Sequence, residues 1–176
     1  MAGTRWVGFH SRGRGLDNSY TVIRKEFELY NTILVPLDGS KRAEAILCHV
    51  ENLAQRYHAV VVFLQVEVFP TVIGHDSIYP ILEQQTIEHQ WQEIEKYLTA
   101  LQGEFRKKGI ETRTSIVQGP VVEAIINAAE REDADIIAMA SHGRTGLPQV
   151  FYGSVAAGVL HRVDRPLLLV RSLDRK

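Results

Sequence analysis

ADIIAMASHGRTGLPQVFYGSVAAGVLHRV, running from Ala134 to Val163, is the stretch that decides how this chain is read. Asp135 precedes an apolar run of strand length, Ile136 to Ala140, that ends in small residues. SHGRTG follows as a short polar loop containing Gly143 and Gly146. A Gly153-Ser154 pair then opens a helix-like run, VAAGVLHRV. Strand, glycine loop and helix start are the parts of a backbone phosphate cradle, because glycines permit close approach and amides at a helix N-terminus attract anions. The stretch signals nucleotide binding, and the rest of the chain must support it.

Upstream, TILVPLDGS (Thr32 to Ser40) starts the domain proper. Ile33, Leu34 and Val35 form a continuous apolar run, as expected of a strand buried on both faces of a parallel sheet. Pro36 suits only the strand's end, where no ladder hydrogen bond is needed. Asp38, Gly39 and Ser40 turn the chain into a helix over about Lys41 to Tyr57, with Asp38 or Ser40 as its cap. That helix carries Ile46, Val50 and Leu53 at helical spacing.

The pattern then repeats. AVVVFLQVEVF, residues 59 to 69, reads as a second buried strand, followed by a loop between Pro70 and Pro80. Ile87, Trp91, Ile94, Leu98, Leu101 and Phe105 make one apolar stripe, with Trp91 as a core anchor, on a helix stopping near Lys107 to Gly109. IETRTSIVQG alternates and belongs nearer a sheet edge. In GPVVEAIINAAERE, Pro120 fits a first turn, and Val122, Ile125, Ile126 and Ala129 form the buried face. Gly153 to Val163 is the fourth helix and RPLLLV the fifth strand. Strict alternation with continuous apolar strands gives an α/β fold, an open parallel sheet covered on both faces. Ligands of such sheets sit at the carboxyl ends of the strands where the winding reverses. If strands one and four are neighbours, PLDGS and SHGRTG are two lips of one crevice.

Residues 1–28 show no sustained periodicity and read as an N-terminal extension, disordered or loosely attached, ahead of a single domain over 29–176. The net charge of -1 argues against nucleic acid as a partner, and no apolar run approaches the roughly 18 residues of a membrane span. Cys48 is the sole cysteine, so it forms no internal disulfide; a reducing, cytoplasmic setting fits, and partial burial on its helix is expected. The chain lacks G-x4-G-K-[ST] and G-x-S-x-G, and its histidines have no paired metal spacing.

VPLDGS, MASHGRTG and GSVAAGVLHRVDRPLLLV together resemble the universal stress protein family over about residues 30 to 172. Its ATP-binding members carry G-x2-G-x9-G-[ST]; here the register reads Ala140, Gly143, nine residues, then Gly153-Ser154, with alanine in place of the first glycine. The resemblance implies a Rossmann-like fold of the adenine nucleotide alpha hydrolase type, with five parallel strands in the order 3-2-1-4-5. ATP, with or without Mg, would be the ligand, and strand five would form a homodimer. Pro36 and Asp38 would contact the nucleoside, and Val66 and Met139 would line the adenine slot. Ser141, His142 and Gly143 would start the phosphate loop beside Ala140, and Gly153, Ser154 and Val155 would present amides and a hydroxyl to the phosphates.

Plainer roles stay open for the same residues. Asp38 can cap a helix, Gly143 and Gly146 can be turn glycines, Met139 can be core, and His142 and Arg144 can be either phosphate contacts or loop residues. Three functions follow. The leading one is an ATP-binding stress protein, non-enzymatic or slowly hydrolysing, whose nucleotide biases the conformation or partners of a dimer. The second is a nucleotide-independent dimeric interaction module, to which Ala140 points. The third is a slow ATP hydrolase or adenylyl-transfer enzyme with the Pro70 to Pro80 loop as a lid.

Overall fold

Five parallel strands, each but the last leading into a helical connection, build the sheet that carries the site. The structure is a computed structural model; it describes residues 29–68, 80–141 (side chains of the long helix from Ile87 onward) and 153–172. Residues 1–28, 69–79, 142–152 and 173–176 lie outside the described residues. The strands are β1 (Thr32–Leu37), β2 (Val60–Glu67), β3 (Thr112–Gln118), β4 (Ile136–Ala140) and β5 (Leu167–Val170). The helices are α1 (Leu47–Tyr57), preceded by a 3-10 turn at Ala43–Ile46, then α2 (Pro80–Lys107), α3 (Val121–Arg131) and α4 (Ser154–Arg162). The sheet order is β3-β2-β1-β4-β5, all neighbours parallel.

Alternate side chains of the central strands point to opposite faces, and both faces are covered. Ile33, Val35, Val61 and Phe63 join the cluster under α1 and α2, whereas Leu34, Val62, Leu64 and Ile137 join the cluster under α3 and α4. Two-sided burial explains why β1 and β2 read as unbroken apolar runs. β3, at the edge, shows the mixed exposure that its alternating sequence anticipates.

The long stripe of α2 is buried only in part. Ile94, Leu98, Leu101 and Phe105 are buried, and Phe105 meets Phe63 edge-on with ring centroids 5.1 Å apart. Trp91 is only half-buried and Ile87 is exposed, so Trp91 is not the core anchor expected of it. The helix ends as anticipated: Gly109 adopts φ +76, and its N–H donates to the Arg106 carbonyl. Cys48 is exposed, contrary to expectation, because it lies two residues from both Ile46 and Val50, roughly 200° around the helix from each.

Polar contacts fix the strand entrances opposite the site. The Asp135 carboxylate accepts the N–H groups of Asn31 at 2.6 Å and Thr32 at 2.9 Å, joining the starts of β4 and β1. The Arg165 guanidinium donates to the carbonyls of Ala129 and Ala134, both at 2.9 Å, setting the entrance to β5.

Candidate functional site

The sheet opens where its winding reverses. β1 pairs with β2 along its whole length, up to Leu37 opposite Gln65, but its pairing with β4 covers only Ile33 and Leu34. Pro36, which has no N–H to donate, sits beyond the last β1–β4 pair. A cleft of about 410 Å³ occupies this divergence. The carboxyl ends of β2, β1 and β4 form it, together with the start of α4.

Nine residues expected at the site line this one cleft: Pro36, Asp38, Val66, Met139, Ala140, Ser141, Gly153, Ser154 and Val155. The other four, His142, Gly143, Arg144 and Gly146, lie outside the described residues. Met139 belongs to the core cluster below α3 and α4 and also faces the cleft, so core and wall are one position.

The first lip is built by the Asp38-Gly39-Ser40 turn. One Asp38 carboxylate oxygen accepts the Ser40 N–H at 3.0 Å, and the Ser40 hydroxyl oxygen accepts the Ala43 N–H at 3.1 Å. Ser40 is thus the cap of the helical connection, and Asp38 braces the turn that presents it. Gly39, at φ +74, takes a conformation that a side chain would disfavour.

The second lip is the end of β4 and the start of α4. The Ser141 N–H donates to the Val170 carbonyl at 2.8 Å, and the Gly153 N–H donates to the Ser141 carbonyl at 2.6 Å. The first turn of α4 has neither a side-chain cap nor an acidic residue. Its leading N–H groups have no intrahelical acceptor and, with the helix dipole, favour an anion. Ala140 is extended and is not among the described residues with positive φ, so its backbone does not require glycine. A glycine there would add only room.

Two polar residues on the cleft wall were not among the residues singled out from sequence. Gln65 is 5% exposed and Glu67 half-buried; the Gln65 amide N–H donates to a Glu67 carboxylate oxygen at 3.0 Å. Their signal was available: a glutamine inside an otherwise apolar two-sided strand is a buried polar group that needs a partner. Behind the first lip, the hydroxyl of Tyr97 of α2 is buried beside the Glu44 carboxylate. Burial first, then the Glu44 and Asp38 carboxylates, push its pKa well above the ordinary phenol value, keeping it neutral. No cluster of three or more potential metal ligands occurs among the described residues, and no described helix is long and apolar enough to cross a membrane.

An open parallel sheet with a ligand-sized cleft at its switch point defines a doubly wound α/β protein. Residues 29–171 match the model of the universal stress protein family, and the chain belongs to that family. Universal stress protein MJ0531 of Methanocaldococcus jannaschii is 29% identical over 153 residues, covering 86% of this chain and 88% of its own. The solved structure of MJ0577 from the same organism superposes with a TM-score of 0.73 at 29% identity, covering 83% of this chain and 99% of its own. Two further structures share the fold: a universal stress protein in complex with cAMP (TM-score 0.60, 20% identity, 82% and 98% coverage) and one from Archaeoglobus fulgidus in complex with dAMP (0.57, 20%, 81% and 98%).

Proposed function

We propose that this universal stress protein binds an adenine nucleotide, ATP, in the switch-point cleft, and that occupancy biases the conformation or partner choice of a homodimer. The observation that carries the proposal is the convergence of the Asp38 turn, the apolar wall of Val66 and Met139, and the uncapped start of α4 on one cleft. Its volume falls within the range of about 300–1,000 Å³ typical of small-molecule sites. The cAMP and dAMP complexes of two family proteins support the choice of an adenine nucleotide.

In this reading the amides of Ser154 and Val155 and the Ser154 hydroxyl hold phosphate, while Val66 and Met139 flank the base. His142, Gly143, Arg144 and Gly146 complete the phosphate loop, and Asp38 meets the ribose or base. Mg, where present, accompanies the phosphates and would neutralise their charge. Rapid phosphoryl transfer needs a positioned metal and several cations; phosphates held chiefly by backbone amides suit retention and sensing, with slow hydrolysis at most. The dimer forms through β5, whose apolar residues Leu167 to Val170 lie half-buried at a sheet edge that a symmetric copy would cover.

Thermal melting with Mg-ATP tests the binding, and light scattering tests the dimer. A rise in Tm that saturates with ATP supports the reading. No shift at millimolar Mg-ATP would favour the nucleotide-independent module, for which the Ala140 methyl in the cleft lining is the one supporting feature. A purely monomeric particle would contradict pairing through β5.

A further inference from the structure

We infer that Ala140 is the spacer that sets the width of the cleft between its two lips, and so how tightly ATP is held across them. The inference rests on the nucleotide reading above and gives a positioning role to the one residue that departs from the family's glycine motif. β1 and β4 pair only through Ile33 and Leu34, so Val35 to Leu37 and Ala138 to Ala140 run on to the cleft past the last paired residues. Ladder hydrogen bonds therefore do not fix how far apart these two strand ends stand. Side-chain packing does.

The face on which Ala140 stands decides what its methyl packs against. Paired residues of neighbouring strands share a face of the sheet. Met139 pairs with Leu169, which packs on the cluster under α3 and α4; Ala140 pairs with Val170, which packs on the cluster under α1 and α2. The Ala140 methyl is thus turned away from Val66 and Met139. It lines the cleft only from the side of the 3-10 turn, with Leu37 and Ala43. That turn lies against β4, and its Ala43 and Ile46 are buried in one cluster with Ala138. The same turn is tied to the first lip: the Ala43 N–H donates to the Ser40 hydroxyl oxygen at 3.1 Å, and the Glu44 N–H to the Ser40 carbonyl at 3.2 Å. Ala140, only 8% exposed, stands between the strand that leads to the phosphate end and the turn that follows Asp38. A smaller residue there leaves a void or lets the turn settle toward β4, and a larger one lifts the lip.

The test measures ATP binding by calorimetry to the full chain and to Ala140→Gly, Ala140→Ser and Ala140→Val, with thermal melting of each ligand-free variant. A spacer gives a size dependence that peaks at the native volume. Ala140→Ser, close to alanine in volume, should bind within about twofold of the wild type. Ala140→Gly should lose roughly threefold or more, and Ala140→Val roughly tenfold or more. A methyl that met the ligand instead would give a one-way series, with Ala140→Gly binding as tightly as the wild type or tighter. That result overturns the inference and leaves the nucleotide reading intact, as does unchanged binding in folded Ala140→Val. Affinities that simply follow the order of the melting temperatures also overturn it, since a merely structural role would produce them. If Ala140→Val does not fold, Ala140→Gly against Ala140→Ser still decides. A wild type that binds no ATP overturns both readings.

Discussion

The Gly153 N–H donates to the Ser141 carbonyl across 2.6 Å, so the chain that leaves the sheet after β4 is back at the same point when α4 begins. Ser141 is itself held by the Val170 carbonyl on β5. The start of α4 is therefore fixed to the sheet at the cleft mouth, on the strand pair proposed to face the dimer partner. Ligand-facing amides and the edge strand share one hydrogen-bonded junction.

Ser154 is the first residue of α4, and Gly153 before it has φ -56 and ψ 152, a backbone that tolerates a following proline. Ser154→Pro should fold with a stability change within about 0.5 kcal/mol, since proline suits the first helical position. It deletes one amide and the hydroxyl from the proposed phosphate contact. Calorimetry should show ATP binding weakened roughly tenfold or more, with Ser154→Ala losing less. Equal affinity in Ser154→Pro and wild type would remove the start of α4 from the site.

Asp38 combines a turn contact with a place in the cleft, and two substitutions separate them. Asp38→Asn keeps an oxygen for the Ser40 N–H, so its melting temperature should stay near that of the wild type while ATP binding weakens. Asp38→Ala loses both, and chemical denaturation should show a cost of about 0.5–2 kcal/mol. Unaltered ATP affinity in both variants would leave Asp38 as a turn residue only.

Tyr97 predicts an alkaline signature. Its folded pKa lies above its ordinary value of 10.0, so the folded state keeps a proton that the unfolded state gives up. The associated stability is complete below about pH 10 and is lost as the pH rises beyond it. Tyr97→Phe should lose less stability than the wild type between about pH 9 and pH 11, read by thermal unfolding at each pH. Near neutrality the variant should differ from the wild type by no more than about 1 kcal/mol, because the hydroxyl it removes is buried beside the Glu44 carboxylate. A neutral-pH loss above about 2 kcal/mol would mean that the hydroxyl has a partner.

Gly158 sets how closely α4 packs on α3. A methyl group there would meet the Val122 side chain at 2.7 Å, and a β-branched neighbour has little freedom to turn away. Gly158→Ala should destabilise the fold by about 1–2 kcal/mol despite its better helix propensity. Adding Val122→Ala should recover part of that loss, measured as a double-mutant cycle in urea.

The sheet was legible because burial on both faces writes itself into β1 and β2 as unbroken apolar runs, and the alternation of β3 marked it as an edge. The order of strands came from resemblance rather than from periodicity. Spacing located the buried face of α2 but not its buried length. At 28 residues that helix is about 42 Å long, whereas the eight residues of β2 extend about 26 Å, so Ile87 projects past the core. At the site, the glycine and turn motifs pointed to both lips. Gln65 and Glu67 belong to no motif: they are single polar residues within the apolar run of β2, and periodicity reports the strand and not its exceptions.

What the protein carries from the cell tests nucleotide binding most directly. Freshly purified chain is denatured, and the released small molecules are separated by anion exchange and identified by mass. A nucleotide-binding chain should release ATP or AMP approaching one per chain. A supernatant without adenine nucleotide, joined to a melting temperature that Mg-ATP does not move, would contradict it.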